Sequence, residues 1–260
     1  MLQTADDAAV AVERLDDVEL VADGQKLLFQ LKHSLLTKPA PITIASRALW
    51  RTVAVWADLL PTITLADTTL HLVAVGAISA GCPLDTLTNT DVDRSAVVQA
   101  MAEEAQRVVD ERAKAKQANV ALPHSERAAG CESFLALTNT DRLNLLRRAV
   151  IRANSPPIDK LEERIAGHLL LLPAEQRLGV ARRLVEWWDR QVVYSLCGTR
   201  SRAITRLELQ QQVMSIVGDL EEGRLHPEFE LATPPDDYQP DGMLTRQINL
   251  VGGKQSDLSR

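Results

Sequence analysis

Cysteine is scarce and scattered in this chain. Cys82, Cys131 and Cys197 are the only three in 260 residues, and no CxxC pair occurs, which argues against a structural zinc and a disulfide framework alike. His33, His71, His124, His168 and His226 are equally dispersed and no HExxH occurs. Each reads as a surface or packed residue, with His33 the exception by position. No apolar run approaches the roughly 20 residues of a membrane span, and nothing resembles a secretory leader. The expectation is a cytoplasmic protein with reduced thiols and no membrane contact. Positive charge is short too: 29 Lys and Arg against 35 Asp and Glu leave a net −6. That balance gives no overall electrostatic footprint for nucleic acid. A metal-dependent site offsets part of its acidity with cations, so the balance does not exclude a DNA substrate.

What the chain does have is a stretch near its start that reads as a β-hairpin. Val10 to Val21 is rich in β-branched and apolar residues, Asp23-Gly24 supplies the positive φ angles of a two-residue turn, and Lys26 to Lys32 runs back. With Asp23 and Gly24 as the loop, Ala22 faces Gln25, Val18 faces Phe29, Asp17 faces Gln30 and Leu15 faces Lys32. Opposed residues share a face. One face then carries Val18, Leu20, Leu27, Phe29 and Leu31 and is expected to seal against a core; the other carries Glu13, Asp17, Glu19, Gln30 and Lys32. Carboxylates, an amide oxygen and an ammonium on one face suit a hard divalent cation and phosphodiester hydrolysis. The same residues also suit an exposed face with weak cross-strand pairs.

Glu-x-x-x-Asp followed by Gln-x-Lys on the next strand resembles the PD-(D/E)xK nuclease superfamily, in the variant with glutamine at the second acid. The text VERLDDVEL then LLFQLKHS is similar to the N-terminal nuclease domain of double-stranded DNA endonuclease effectors of bacterial anti-phage systems. The resemblance implies Asp17 as metal-binding aspartate, Gln30 at the second-acid position, Lys32 as catalytic lysine and Glu13 as an auxiliary acid. Asp17, Gln30 and Glu13 would then hold Mg²⁺ or Mn²⁺. Asp16 is the fallback ligand, because a bulge at the Asp-Asp pair would exchange the two roles. The family carries a supporting helix before the first strand, whereas this sequence has only MLQTADDA there. An N-terminal truncation or a degraded copy is the expectation.

Downstream, Pro39-Ala-Pro41 is a break. Ile44 to Leu60 has helical spacing, with Ser46 as cap and Pro61 as stop, and Trp50 and Trp56 are expected to be core. Thr69 to Ala77 reads as a strand buried on both faces. Strand, hairpin, helix, strand is the nuclease core order. Asp91 to Ala118 reads as a long connector helix, whose ERAKAK run at Glu111 to Lys116 is most simply a solvated face. The phrase Leu-Thr-Asn-Thr-Asp, at Leu87 and again at Leu137, reads both times as an N-cap. From Cys131 the chain reads as all helix: Asp141 to Arg152, Ile158 to Leu172, Ala174 to Leu196, and Thr205 to Glu222, with Thr205-Arg-Leu-Glu208 as a capping box. Of Trp187 and Trp188, one is expected in the core and one partly exposed. Arg147, Arg148, Arg152, Arg182 and Arg183 are expected on the wet side.

The expected fold class is α/β, with a restriction-endonuclease-like mixed sheet core followed by an all-helical domain. The expected divisions are residues 1–90 for the core, 91–128 for the connector, 129–235 for the helical domain and 236–260 for a tail or the start of a further module. The helical part resembles the C-terminal region that follows the same nuclease domain in conflict systems linked to ABC ATPases, and the whole resembles an interior slice of a longer protein. Two functions follow. One is a Mg²⁺-dependent DNA endonuclease effector controlled through its helical domain, with double-stranded DNA, a partner ATPase or other defence protein, and self-association as partners. The other is a catalytically degenerate nuclease-fold adaptor.

Overall fold

The computed structural model describes residues 7–13, 17–32, 39–90 and 92–221. Asp16, His33 and the expected tail lie outside these residues. The fold is α/β: a mixed six-stranded sheet with helices threaded between its strands. The strands are β1 (Ala9–Val12), β2 (Val18–Ala22), β3 (Gln25–Lys32), β4 (Thr68–Ala74), β5 (Ala149–Arg152) and β6 (Ala203–Thr205). The helices are α1 (Arg47–Leu59), α2 (Ser95–Gln117), α3 (Ala128–Ala136), α4 (Asn139–Arg148), α5 (Leu161–His168), α6 (Ala174–Leu196) and α7 (Arg206–Glu221). Contacts gather Met1–Gln211 into one compact unit. The chain from Gln212 onward forms a second, of which residues 212–221, the end of α7, are described.

The hairpin forms with the expected register. Asp23 and Gly24 have φ of 51° and 70°, the paired left-handed angles of a type I′ turn, and Val18 faces Phe29, Leu20 faces Leu27 and Ala22 faces Gln25. The expected single strand Val10 to Val21 is instead two, β1 and β2, paired antiparallel through Ala11 and Glu19 and through Val12 and Val18. Between them Glu13 takes φ of 51° and its N–H donates to the Asp17 carbonyl at 3.1 Å.

Strand order is β5-β4-β3-β2-β1-β6, with β3–β4 and β4–β5 parallel. The crossovers through α1 and through α2–α4 decide which face is sealed. Leu28, Leu70, Leu72, Ala149 and Ile151 lie in register on one side and bury in a single cluster with Leu49, Trp50, Val53 and Trp56 of α1 and Val97, Met101, Ala105 and Val108 of α2. This corrects the expectation for the hairpin. The sealed face is the one bearing Leu28, Gln30 and Glu19, whereas Val18, Leu20, Leu27, Phe29 and Leu31 are half-buried. Hairpin parity groups residues into two faces; the helix joining β3 to β4 selects between them, and a right-handed crossover leaves it one side. β4 accordingly alternates rather than burying both faces, with Thr69 and Val73 half-exposed and His71 the buried exception.

The region expected to be all helix contributes both outer strands. Residues 149–152, read as the end of a helix, extend beside β4 as β5, and residues 203–205 pair with β1 as β6. Ala-Val-Ile-Arg is short and apolar, and such a run suits either element until a neighbour is available. α6 runs over Ala174–Leu196 as expected. The capping box at α7 is present, the Glu208 N–H donating to Thr205 Oγ1 at 3.2 Å and the Thr205 N–H to Glu208 Oε2 at 2.8 Å. Thr138 caps α4 through the Asp141 N–H at 3.1 Å. Asp91 of the first copy lies outside the described residues, and the N-cap position of α2 falls on Arg94, past the phrase; Thr88 ends a 3-10 turn and Asp93 accepts from Ser95 at the start of α2.

Candidate functional site

Of the residues singled out in the hairpin, Asp17, Gln30 and Lys32 come together at the C-terminal end of β3. Gln30 and Lys32 alternate onto the sealed face at its edge, Gln30 only 6% exposed and Lys32 half-buried. The Lys32 Nζ donates to Gln30 Oε1 at 2.6 Å. Asp17 precedes β2, and its Oδ2 accepts the Leu31 N–H at 2.8 Å. That N–H lies in the plane of the sheet, so the carboxylate finishes the β2–β3 ladder where the backbone of β2 has turned away. It sits against the Gln30–Leu31 peptide. Glu19 is fully buried on the same face, opposite Leu28. Glu13 is exposed in the turn and joins the group through its backbone, its N–H to Asp17 and its carbonyl to Arg202 Nη1 at 3.3 Å.

The donor set suits a hard cation. Asp17 and Glu13 carry carboxylate oxygens and Gln30 an amide oxygen, the oxygen types a hard cation takes, and Mg²⁺ commonly takes one or two carboxylates and completes its shell with water. Among the described residues no three His, Cys, Asp or Glu side chains group to hold an ion. A set of two carboxylates and one amide does not require such a group.

Three features fell outside the sequence reading. Arg202 reaches the Glu13 turn from 189 residues away, and no local pattern signals it. On the other face, Phe29 and His71 stack at 4.8 Å, Arg152 lies 5.3 Å over the Phe29 ring, and the Arg152 Nε–H donates to His71 Nδ1 at 3.2 Å. With Nδ1 accepting, the neutral imidazole carries its proton on Nε2, which is buried without a partner. Burial first, then the Arg152 charge, brings the His71 pKa down to about 4. Third, the ERAKAK face is not simply solvated. Glu111 accepts from Arg107 at 2.5 Å and lies 2.6 Å from His124 Nε2, while Arg127 pairs with Glu104 at 2.7 Å. Hydrogen bonds from Arg107 to Glu104, and from His124 and then Arg107 to Glu111, hold both carboxyls below their usual range. This network pins the loop at 119–127 to α2, and a cavity of about 420 Å³ opens beside it between Arg47, Ser125 and Arg127.

Trp50 and Trp56 are buried as expected, whereas Trp187 and Trp188 are both half-buried, neither in the core. Fold and site together define an α/β protein with Asp17, Gln30 and Lys32 collected at the C-terminal end of β3. No family model matches this chain, and no curated protein and no solved structure matches it. No helix among the described residues is long and apolar enough to cross a membrane.

Proposed function

We propose that the chain is a Mg²⁺-dependent double-stranded DNA endonuclease, an effector of a bacterial anti-phage system controlled through its C-terminal helices and a partner protein. One observation carries this reading: the Asp17 carboxylate is fixed on the Leu31 N–H, between Gln30 and Lys32, whose side chains are bonded to each other. Open α/β sheets bind ligands outside the carboxyl ends of their parallel strands, and this group occupies that end of β3. Asp17 and Gln30 would hold the ion, with Glu13 at the rim. When bound, Mg²⁺ supplies Lewis-acid polarisation of the phosphate and activation of water. Lys32 keeps an ammonium beside Gln30 Oε1, where it would offset negative charge growing on a phosphoryl group. The Leu31 N–H orients Asp17 and the Lys32 ammonium orients Gln30.

The adaptor reading has its own support, since a Gln30 amide that is 6% exposed and bonded to Lys32 is also a satisfied structural pair. Supercoiled-plasmid cleavage with Mg²⁺ separates the two. Wild type should nick or linearise the plasmid and Lys32→Ala should not, while both give the same circular dichroism and a cooperative melt, Lys32→Ala losing at most the roughly 1–3 kcal/mol tied to its bond with the buried Gln30 amide. Equal conversion by the two proteins, or none by folded wild type supplied with its partner, leaves the adaptor.

A further inference from the structure

The turn that carries Glu13 and leads to Asp17 is held from outside the nuclease-like half. β6 pairs antiparallel with β1, Ala203 opposite Ala11, so the residue before Ala203 runs alongside the end of β1. There Arg202 donates from Nη1 to the Glu13 carbonyl, Glu13 donates to the Asp17 carbonyl, and the Asp17 carboxylate accepts from Leu31 beside Gln30 and Lys32. Four residues, three from the start of the sequence and Arg202 from 189 residues beyond Glu13, thus form one hydrogen-bonded line along the edge of the candidate site. The two arginines delivered by this segment are treated differently. Arg200 is consumed, its guanidinium bonded to Glu208 Oε1 at 2.5 Å, to Gln191 Oε1 at 2.5 Å and to the Ala203 carbonyl. Arg202 is exposed and, among the described residues, pairs with no carboxylate. A neutral carbonyl fixes its position and leaves its charge and most of its donors for another acceptor.

We propose that Arg202 is a DNA-positioning residue of the endonuclease, binding a backbone phosphate of the duplex beside the one presented to Asp17, Gln30 and Lys32. This rests on the endonuclease reading above. The geometry suits a neighbouring phosphate rather than the scissile one: β1 and β3 are two strand spacings apart, about 10 Å. A planar guanidinium takes phosphate oxygens in a fixed fork. In an acidic protein such a contact matters more than it would in a basic one, because little diffuse positive field helps to hold the duplex.

The test measures duplex binding against salt, with Ca²⁺ replacing Mg²⁺ so that binding is read without cutting, and Mg²⁺-dependent cleavage separately. A single phosphate contact contributes about 0.9 to the slope of log affinity against log salt. Raising salt from 50 to 200 mM should therefore weaken wild type about 3.5-fold more than Arg202→Ala. In cleavage, Arg202→Ala should raise KM with little change in kcat, and Arg202→Lys should restore most of the salt slope. A purely structural role would lower the melting temperature of Arg202→Ala and leave the slope unchanged. Wild type that binds and cuts, with an unchanged slope in Arg202→Ala, overturns the assignment of Arg202 and spares the endonuclease reading. Wild type that neither binds duplex nor cuts overturns both.

Discussion

Acidification should remove stability from this protein through one imidazole. His71 is 4% exposed, faces Phe29 from β3 and Arg152 from β5, and ionises in the folded chain only near pH 4, against 6.5 when free. The folded pKa is depressed, so the unfolded chain binds the proton more tightly between those values. The stability tied to neutral His71 is present in full above pH 6.5, falls as the pH drops through 6.5 toward 4, and is gone below. At 1.36 kcal/mol per unit the loss is about 3 kcal/mol, a large part of the 5–15 kcal/mol typical of a domain. Urea unfolding of wild type and His71→Phe at pH 7, 6, 5 and 4 measures it. Phenylalanine keeps a ring against Phe29 and removes the titrating nitrogen. Carboxylates such as Glu104 and Glu111 titrate in both proteins, so the difference between the two pH profiles isolates His71. That difference should change by about 3 kcal/mol between pH 7 and 4, and a flat difference refutes the reasoning.

Leu28→Ala should destabilise by roughly 2–5 kcal/mol, and more than Phe29→Ala, because Leu28 lies in the sealed cluster whereas Phe29 is half-buried on the other face; a larger shift in urea midpoint for Phe29→Ala would contradict the assignment of faces. Gly130→Ala should cost roughly 1–3 kcal/mol or more, since a Cβ there would overlap the Trp50 carbonyl where α3 crosses α1. Gly179→Ala, in α6 with nothing within 4 Å, should be neutral or stabilise by roughly 0.5–1 kcal/mol. Thermal melts of the two alanine variants should therefore move in opposite directions or differ by several degrees.

The hairpin was legible because its information is local. Asp23-Gly24 fixes the turn, the turn fixes the register, and Val18 meets Phe29 as counted outward from it. The α7 capping box and the bounds of α6 are local in the same way. What the sequence did not reveal depends on partners far along the chain. Whether Leu28 or Phe29 is sealed depends on where α1 crosses the sheet, and parity cannot distinguish two faces that both carry apolar residues. Ala149–Arg152 becomes a strand because the edge of β4 is there to receive it, overriding a periodicity that reads as helix. Asp17, Gln30 and Lys32 could be grouped from spacing alone, whereas Arg202 and the Phe29–His71–Arg152 stack arise only once β6 and β5 are in place.

Those two strands also govern what can be cut away. β1 and β4 would be the edges of a sheet built from the first 90 residues, and in the folded chain β6 and β5 cover them. A fragment ending at residue 90 would present two open rows of backbone donors and acceptors, one beside the apolar run Thr-Leu-His-Leu-Val-Ala of β4, and such edges pair with one another between molecules. Shortening this protein to its first 90 residues should yield an aggregate, and the boundary tolerated by expression should fall beyond Thr205. The chain must also wait for that residue during synthesis before β1 gains its outer neighbour, so a ribosome paused earlier would hold an unfinished sheet with one sticky side.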